Sequence, residues 1–333
     1  MKVQRMLWSA ISLIAVSCVC TFTQGCKQKS SAPSTAQNTQ NSVAPFLGRW
    51  DLTLKTSQRV FPSWLELSQV NGELKAMMVG RWGGACPLSK VDVSGGVLTF
   101  ASPKEGDCDT NVAFKGKLEH GTLTGSATGP DGTAWTWTGV KAPSLATNAT
   151  PQWGKPISLF NGRNLDGWHE YTVNGSTPTK HWKVEHGTLV SPGHGPELVS
   201  AKEFENFKLH VEFKLGPTSN SGVYLRGRYE VQIENESAGE PPSHHTGGVY
   251  GFLAPNPELP RTTGKWQSFD VTLIGRKVTV VQNGTMIIDN QEIPGITGGA
   301  LNSNEGEPGP IYLQGSEKGH VAFRNIVITP AEE

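Results

Sequence analysis

Apolar and polar side chains alternate over many short segments of this 333-residue chain, and residues 220–234, NSGVYLRGRYEVQIE, alternate most strictly. From Val223 to Ile233 the odd positions are mostly apolar, whereas the even positions are polar or amphipathic. A period of two is the mark of a strand with one face on a core and the other face on water. We predict a strand whose polar face binds sugars and moves protons. An outer strand laced with cross-strand ion pairs is the structural alternative.

Turn-forming residue pairs separate the alternating segments, and long apolar runs with a helical period are missing. We therefore predict an all-β protein. A small lipocalin-like barrel or sandwich at residues 44–142 is followed by a linker at 143–152 and a two-sheet jelly-roll sandwich at 153–333. The turn pairs are Asn71-Gly72, Gly95-Gly96, His120-Gly121, Asp131-Gly132 and Asn283-Gly284.

The small domain begins with Gly48-Arg49-Trp50, which is similar to the Gly-x-Trp start of lipocalin-like barrels. In such a barrel the tryptophan either belongs to a small-ligand cup or plugs the barrel end. Both interpretations stay open at the level of the sequence.

The N-terminal 26 residues have the composition of an export signal. An apolar run from Met6 to about Cys20 follows two basic residues and is too short to span a bilayer. Cys26 follows a glycine and precedes a polar tract, as in a bacterial lipoprotein signal, and Cys18 is the alternative lipidation site. We expect an exported periplasmic or outer-membrane lipoprotein that contacts the membrane only through this anchor, with residues 27–43 as a flexible tether.

Two further cysteines, Cys86 and Cys108, lie in the body of the chain. An exported protein would permit a disulfide between them. The charges balance, with 29 Lys and Arg against 29 Asp and Glu, so no basic field argues for a nucleic-acid partner. The sequence does not determine an oligomeric state.

Six motifs follow one another in the C-terminal half. They are ISLFNGRNLDGWHEY, HWKVEHGTLV, NSGVYLRGRYEVQIE, TGGVYGFLAPN, GKWQSFDVTLIGRKVTVVQNG and GPIYLQG with HVAFRNIVI. Together they resemble the 3-keto-disaccharide hydrolase domain family, over about residues 155–330, and they leave residues 45–142 unmatched. The resemblance implies a concanavalin A-like lectin/glucanase sandwich and a carbohydrate substrate.

The resemblance implies action on glycosides that are already oxidised at C3 of the sugar. The ketone acidifies the hydrogen at C2, so a base can remove it, the enolate can expel the C1 substituent, and water then adds. Such a site needs a base, a donor for the developing oxyanion and an acid for the leaving oxygen. Conventional glycosidases instead place two carboxylates about 5 Å or about 6.5–9.5 Å apart. Residues i and i+4 of a strand lie about 13 Å apart, which excludes Glu230 and Glu234 as a retaining pair.

We predict Glu230 as base or acid and Arg226 as the clamp for an oxyanion or hydroxyl, with a structural ion pair between them as the alternative. Glu212 on a neighbouring strand is a possible carboxylate partner of Glu230. The remaining candidates are sugar ligands, each of which could equally serve packing or a turn. They are Gln232, Glu234, Asn220, Tyr224, Tyr250 and His320.

One segment departs from the family pattern, which commonly has an Asp-His pair after the penultimate strand. Here Gln314 is followed by a longer segment that ends in His320, so Glu317 and His320 either replace the pair or the pair is lost. His244-His245 gives only a weak metal signal, because no third ligand stands at a sensible spacing. We predict no certain cofactor, and a divalent metal stays possible. A non-catalytic lectin-like lipoprotein and a cell-surface interaction module are the alternatives to an enzyme.

Overall fold

The computed structural model describes residues 43–57, 59–102, 112–129, 132–145, 150–172, 178–191, 193–235, 238–315 and 319–332. Within these ranges the chain forms strands and two short 3-10 helices, Ala44–Phe46 and Pro242–His244. The prediction of an all-β protein is confirmed. In the described part of the chain no helix has the length and apolar character needed to span a membrane.

The N-terminal domain is one antiparallel sheet of nine strands in the order β4-β3-β2-β1-β9-β8-β7-β6-β5. Because the last strand pairs with the first, the sheet curls into a half-barrel around its own apolar core. The strands are β1 Gly48–Lys55, β2 Val60–Val70, β3 Glu73–Val79, β4 Cys86–Pro87, β5 Val91–Ser94, β6 Val97–Ala101, β7 Ala113–Glu119, β8 Thr122–Thr128 and β9 Ala134–Lys141.

Trp50 lies in the core of this half-barrel and has no solvent exposure. Its Nε1 donates to the carbonyl of Phe46 at 2.7 Å, and the Lys141 ammonium lies 3.8 Å from the ring centroid. A buried indole that finds a partner for its single N–H costs little and packs well. The structure therefore places the tryptophan of the Gly-x-Trp motif in the packing core.

The C-terminal domain contains two antiparallel sheets that enclose a second, larger core. The larger sheet has the order β12-β13-β22-β15-β18-β19-β20, with β10 pairing to β22, and the smaller sheet has the order β11-β14-β21-β16-β17. The strands are β10 Ile157–Ser158, β11 Trp168–Tyr171, β12 Lys183–Glu185, β13 Thr188–Val190, β14 Glu197–Phe204, β15 Phe207–Leu215, β16 Asn220–Leu225, β17 Tyr229–Glu234, β18 Trp266–Ile274, β19 Lys277–Gln282, β20 Thr285–Glu292, β21 Gly309–Leu313 and β22 Val321–Pro330.

The prediction of one strand through residues 220–234 is wrong, because the chain turns back on itself in the middle. Arg226 and Gly227 have positive φ values of 54° and 65°, which is the backbone of a tight hairpin turn. The Arg228 amide donates to the carbonyl of Leu225 at 3.0 Å and closes the turn. β16 and β17 are thus two antiparallel neighbours. Arg226 has a positive φ that glycine normally takes. Because the residue is polar and stands at an even position, the turn does not interrupt the alternation in the sequence.

The two domains contact each other through buried apolar and polar groups. Trp64 of β2 is fully buried and lies edge-on to Phe252 of the C-terminal domain, with ring centroids 5.3 Å apart. Arg49 of β1 forms an ion pair with Glu292 at 2.6 Å, and the Thr53 and Ser303 hydroxyls are 3.2 Å apart. Truncation of a buried tryptophan to alanine lowers the unfolding free energy by about 3–5 kcal/mol, so Trp64 contributes strongly to this contact. The N-terminal domain is therefore docked firmly against the C-terminal domain.

Candidate active site

A cleft of about 720 Å³ lies on the face of the smaller sheet that points away from the core. Its walls come from the β16–β17 hairpin, from residues within 238–250, from Gly298, and from the N-terminal domain. Polar side chains predominate, as expected for a site that binds a hydroxylated ligand. The lining residues are Trp82, Gly83, Thr218, Ser219, Asn220, Tyr224, Glu230, Gln232, Glu234, Asn235, Ala238, Glu240, His244, Tyr250, Arg261, Gly298 and Gln314.

The hairpin register brings two rows of polar side chains onto this one face. In that register Asn220 lies opposite Glu234, and Tyr224 lies opposite Glu230. The intervening apolar residues of both strands, such as Val223 and Val231, enter the core instead. Since side chains of a strand alternate between its faces, a hairpin doubles the number of even-numbered residues that reach the cleft. The hairpin thereby brings four predicted ligands and the predicted base together in one cavity, and the fifth ligand, Tyr250, lines the cavity from a loop.

Glu230 is only 3% exposed, and the hydroxyl of Tyr224 lies 2.9 Å from its Oε2. The same hydroxyl lies 2.8 Å from the carbonyl oxygen of Gly298. Tyr312 stacks on the Tyr224 ring with centroids 4.2 Å apart and an interplanar angle of 11°, so the phenol is held in place. At position 222, opposite Gln232, any Cβ would collide with the Glu230 carboxylate. A glycine is required there for the carboxylate to lie where it does.

Tyr224 is a proton donor at this site rather than a base. Burial, followed by the negative charge of Glu230, raises its pKa well above the usual value. The phenol therefore stays protonated at any ordinary pH. It can present one O–H to Glu230 or to Gly298, but not to both at once.

The other predicted ligands on β17 are held mainly through their backbone. The backbone N–H of Glu234 donates to Oγ1 of Thr246 at 3.0 Å. The Gln232 amide donates to the carbonyl of Gly248 at 2.9 Å, and Gly247 donates back to Gln232 at 2.8 Å. These backbone contacts hold the strand against the neighbouring loop.

The loop side of the cleft carries a stacked pair and a nearly buried amide. His244 stacks on Tyr250 with ring centroids 4.2 Å apart, and its Nδ1 lies 3.0 Å from a carboxylate oxygen of Glu240. Gln314 is 7% exposed, and its Oε1 has no hydrogen-bond partner among the described residues. A buried amide oxygen without a partner costs free energy, so it suits a ligand hydroxyl that enters the cleft.

Arg226 was predicted to act beside Glu230, and the structure does not bring it into the cleft. It lies in the hairpin turn, is 1% exposed, and its Nη2 donates to the backbone carbonyls of Glu305 and Glu307. The cause is the turn itself, which directs the side chain toward the segment at 305–307. The role of Arg226 in this structure is to hold that segment against the hairpin.

Glu212 and His320 also lie outside the cleft. Glu212 belongs to β15 of the larger sheet, where it accepts from Arg324 at 2.6 Å and from Asn325 at 2.5 Å. Burial opposes ionisation there, but these hydrogen bonds and the Arg324 charge lower the pKa of Glu212. The prediction that Glu212 is a strand neighbour of Glu230 is therefore wrong. The His320 Nδ1 lies 3.1 Å from the carbonyl of Ser191, and Glu317 lies outside the described residues.

Of the cysteines predicted to carry a lipid or to form a disulfide, the described residues include Cys86 alone. Cys26, Cys18 and Cys108 lie outside the described residues, whereas Cys86 belongs to β4. Among the described residues, no group of three or more His, Cys, Asp or Glu side chains could hold a metal ion.

Sequence reasoning missed several residues of the cleft, above all those of the N-terminal domain. Trp82 and Gly83 come from the loop between β3 and β4, and Gln314 and Arg261 come from the C-terminal domain. The run of glycines in RWGGAC was the one available signal, since glycines mark close backbone approach. Only the docking of the two domains shows what that loop approaches.

Most residues of this cleft belong to a segment of the chain that matches a known family domain. The 3-keto-alpha-glucoside-1,2-lyase-like domain matches residues 155–329, more than half of the chain. A 3-keto-disaccharide hydrolase from Bacteroides thetaiotaomicron is 31% identical over 77 residues, which are 20% of this chain and 26% of that protein. The match therefore spans about a quarter of this curated relative.

Two solved structures are similar to the C-terminal half at low TM-scores. A proposed glycosyl hydrolase from Parabacteroides distasonis is 25% identical, with a TM-score of 0.43, and covers 55% of this chain and 92% of that chain. A carbohydrate-binding module from Bacillus subtilis is 11% identical, with a TM-score of 0.30, and covers 48% and 93%. At such scores the description of the fold rests on the strand pairing of this chain.

Proposed function

Because this chain belongs to the family of 3-keto-alpha-glucoside-1,2-lyase-like domains, we propose that it cleaves the glycosidic bond of 3-keto-glycosides by elimination and hydration. One observation carries the proposal. A nearly buried carboxylate, Glu230, lines a polar cleft of the family domain with a phenol hydrogen-bonded to it. A carboxylate in a cavity beside a fixed proton donor is the arrangement that general acid–base chemistry needs.

The reaction begins with transfer of the C2 proton of the keto sugar to Glu230. The electrons of the broken C–H bond delocalise onto the C3 oxygen and then expel the C1 oxygen, leaving a C1=C2 double bond conjugated to the ketone. The departing oxygen takes a proton from the cleft or from water. Water then adds its hydroxyl at C1 and a proton at C2, so that the products together contain one water more than the substrate.

Tyr224 stabilises both protonation states of Glu230. While Glu230 is ionised, the phenol donates its proton to the carboxylate. Once Glu230 holds the C2 proton, the carboxyl can donate to the phenol oxygen while the phenol turns toward Gly298, because both acceptors lie within 2.9 Å of that oxygen. Rotation of the Tyr224 hydroxyl is therefore sufficient to stabilise both states, and no side chain has to move further.

Sugar hydroxyls and the ketone have several polar partners in the same cavity. The amides of Asn220, Gln232 and Gln314 line it together with Glu234. The oxygen of Gln314 needs a donor, and a sugar hydroxyl supplies one. The lining set contains one arginine, Arg261, to which we assign the oxyanion role that the sequence assigned to Arg226.

The test is incubation of the purified protein with a 3-keto-disaccharide and with its unoxidised parent, in water and in D2O, followed by mass spectrometry. We expect cleavage of the keto sugar alone, with one deuterium incorporated at C2 of the product. Glu230→Gln should lower kcat/KM about 10²–10⁴-fold, as expected for loss of a general base. Glu212→Gln is the matched control, because that glutamate lies on the other sheet.

Three results would contradict the proposal in different ways. Cleavage of neither sugar, with tight binding of both, would favour a lectin-like function. Equally fast cleavage of the unoxidised parent would exclude the elimination route, because that sugar has no ketone to acidify the hydrogen at C2. Equal loss of activity in Glu230→Gln and Glu212→Gln would show that Glu230 has no special role.

We also propose that the protein is exported and held at a membrane by a lipid on Cys26. The composition of residues 1–43 supports this proposal. Expression of Cys26→Ala and Cys18→Ala in a bacterial host, followed by detergent partitioning, tests it. Release of the Cys26→Ala protein alone into the aqueous phase is expected, whereas release of neither variant would contradict a lipid anchor at these cysteines.

A further inference from the structure

The N-terminal domain lies outside the family match, yet its β3–β4 loop forms part of the cleft. Trp82 and Gly83 line the cavity together with Glu230 and Tyr224. The family match begins at residue 155, so this loop is an addition to the family domain. An added loop that reaches the cavity changes what the cavity can accept.

Close backbone contacts wedge this loop between two segments of the C-terminal domain. A Cβ on Gly84 would lie 2.7 Å from His244 Nε2 and 2.9 Å from the Cα of Gly251, and a Cβ on Gly298 would lie 2.6 Å from the Gly83 nitrogen. Each distance is shorter than real Cβ contacts allow. Glycines at these positions are the reason that the two domains can approach so closely.

The loop also contacts the segment that orients the phenol. The Gly299 amide donates to the carbonyl of Arg81 at 2.8 Å, and the Tyr224 hydroxyl lies 2.8 Å from the carbonyl of the preceding residue, Gly298. A Cβ at Gly299 would lie 2.5 Å from that hydroxyl and 3.5 Å from Cζ3 of Trp82. The edge of the indole is therefore adjacent to the Tyr224–Glu230 pair.

The Trp82 ring is itself fixed. It is half-buried, and the guanidinium of Arg81 lies 4.8 Å from its centroid. An indole held at the wall of a polar cleft offers a flat apolar face, and aromatic faces of this kind contribute about 0.5–1.5 kcal/mol beyond their buried area when another ring packs on them.

We propose that Trp82 is a stacking platform for the second ring of the substrate, the group attached at C1 of the keto sugar. The N-terminal domain would thereby select glycosides with a ring-shaped leaving group, such as a second pyranose, over those with a small alkyl group. The identity of the first ring rests on the proposed function. The platform itself rests on the loop geometry.

The test measures binding by titration calorimetry in the Glu230→Gln background, where turnover is suppressed. The probes are a 3-keto-disaccharide, its unoxidised parent and a 3-keto methyl glycoside. Trp82→Ala should weaken binding of the disaccharides about 10- to 100-fold, in the range of a binding hot spot, and binding of the methyl glycoside about 3-fold or less. Trp82→Phe should restore most of the affinity, because it keeps an aromatic face. Trp153→Ala, at a tryptophan that does not line the cleft, is the control.

Equal weakening for disaccharide and methyl glycoside would overturn the platform, and so would unchanged disaccharide binding in Trp82→Ala. If Trp82→Ala does not fold, Trp82→Leu replaces it, because leucine keeps an apolar side chain without an aromatic face. Weaker disaccharide binding by Trp82→Leu than by Trp82→Phe would support the platform, and equal binding by the two variants would overturn it. A wild-type protein that cleaves no keto sugar but needs Trp82 for disaccharide binding would overturn the proposed function and support the platform. A protein that binds none of the probes would overturn the platform as well.

Discussion

Two buried glutamates of this protein have the same kind of tyrosine partner and opposite surroundings. Glu230 receives the Tyr224 hydroxyl at 2.9 Å and lines the cleft. Glu305 receives the Tyr229 hydroxyl at 2.8 Å, but it is fully buried and is held by Arg276 through two contacts of 3.1 Å. Both tyrosines belong to the same hairpin, one on each face. A buried carboxylate becomes a candidate for chemistry only where a cavity reaches it.

The Glu305 cluster lies where the two domains meet. Arg276 also donates to the carbonyl of Pro143 at 2.6 Å, and Asp51 of β1 is 3% exposed beside Glu305. Burial, the charge of Glu305 and a hydrogen bond with it raise the pKa of Asp51 to about 9, although Arg276 and Arg228 oppose the shift. Asp51 is therefore protonated at neutral pH. Asp51, Glu305 and Arg276 together link the two domains.

The largest expected difference between the two sites is in catalysis. Glu230→Gln should lower kcat/KM about 10²–10⁴-fold and leave the melting temperature within a few degrees of wild type, because the amide has the same shape. Activity assays and thermal unfolding of the same preparation check both parts. Unfolding of the variant at room temperature would mean that Glu230 belongs with Glu305 as a structural group.

Arg276→Met should mainly lower stability, whereas Glu230→Gln should mainly lower activity. Removal of the cation leaves Glu305 buried beside Asp51, and breaking a buried pair from one side costs about 3–5 kcal/mol of unfolding free energy. Denaturant unfolding measures the loss. Arg324→Met, which breaks a partly exposed pair with Glu212, is the control and should cost about 1 kcal/mol or less. Similar losses in the two variants would contradict the assignment of the Glu305 cluster as the domain junction.

Substitution of each tyrosine by phenylalanine removes the hydroxyl that contacts Glu230 or Glu305. Tyr229→Phe should lower the unfolding free energy by about 1.5–3 kcal/mol, the usual worth of a hydrogen bond to a charged group, and leave kcat unchanged. Tyr224→Phe should lower kcat roughly 10-fold or more by the same reasoning, with a smaller loss of stability. A kinetic effect of Tyr229→Phe equal to that of Tyr224→Phe would break the distinction between the two clusters.

Asp51→Asn should have the smallest effect at acidic pH, and its effect on stability should depend on pH. In the unfolded chain Asp51 loses its proton near pH 4, whereas in the folded protein it keeps the proton up to about pH 9. The unfolded state thus binds fewer protons across this window, so the Asp51 contribution to stability falls as pH rises. The amide cannot ionise, so the variant should gain roughly 1.4 kcal/mol per pH unit relative to wild type between pH 5 and pH 8. Parallel stability–pH curves for the two proteins would contradict a protonated Asp51.

The sequence predicted the components of the site better than their arrangement. Alternation along β17 identified Glu230, Gln232 and Glu234 on one face, because side-chain direction in a strand follows directly from the backbone. Arg226 was misplaced, because an arginine in a left-handed turn conformation interrupts a strand without interrupting its pattern. The alternation could not distinguish one long strand from two short ones.

Glu212 shows a second reason for failure. The sequence of its strand, β15 Phe207–Leu215, alternates throughout, with Glu212 at a polar position. What the pattern could not supply was the sheet to which the strand belongs. Strand order depends on pairings between residues far apart in the chain, and periodicity carries no information about them.

The sequence by itself determined that this protein is built from strands, where most of its turns lie, and which face of β17 is polar. These properties follow from interactions between residues close together along the chain. The tertiary structure alone decided that β16 and β17 place Tyr224 against Glu230, and that Glu305 is sealed while Glu230 opens to a cleft. It alone also decided that Trp82 reaches the cleft from a different domain. Each of these facts depends on the packing of surfaces that are distant in sequence, where closeness of approach is set by glycines and shape complementarity rather than by local pattern.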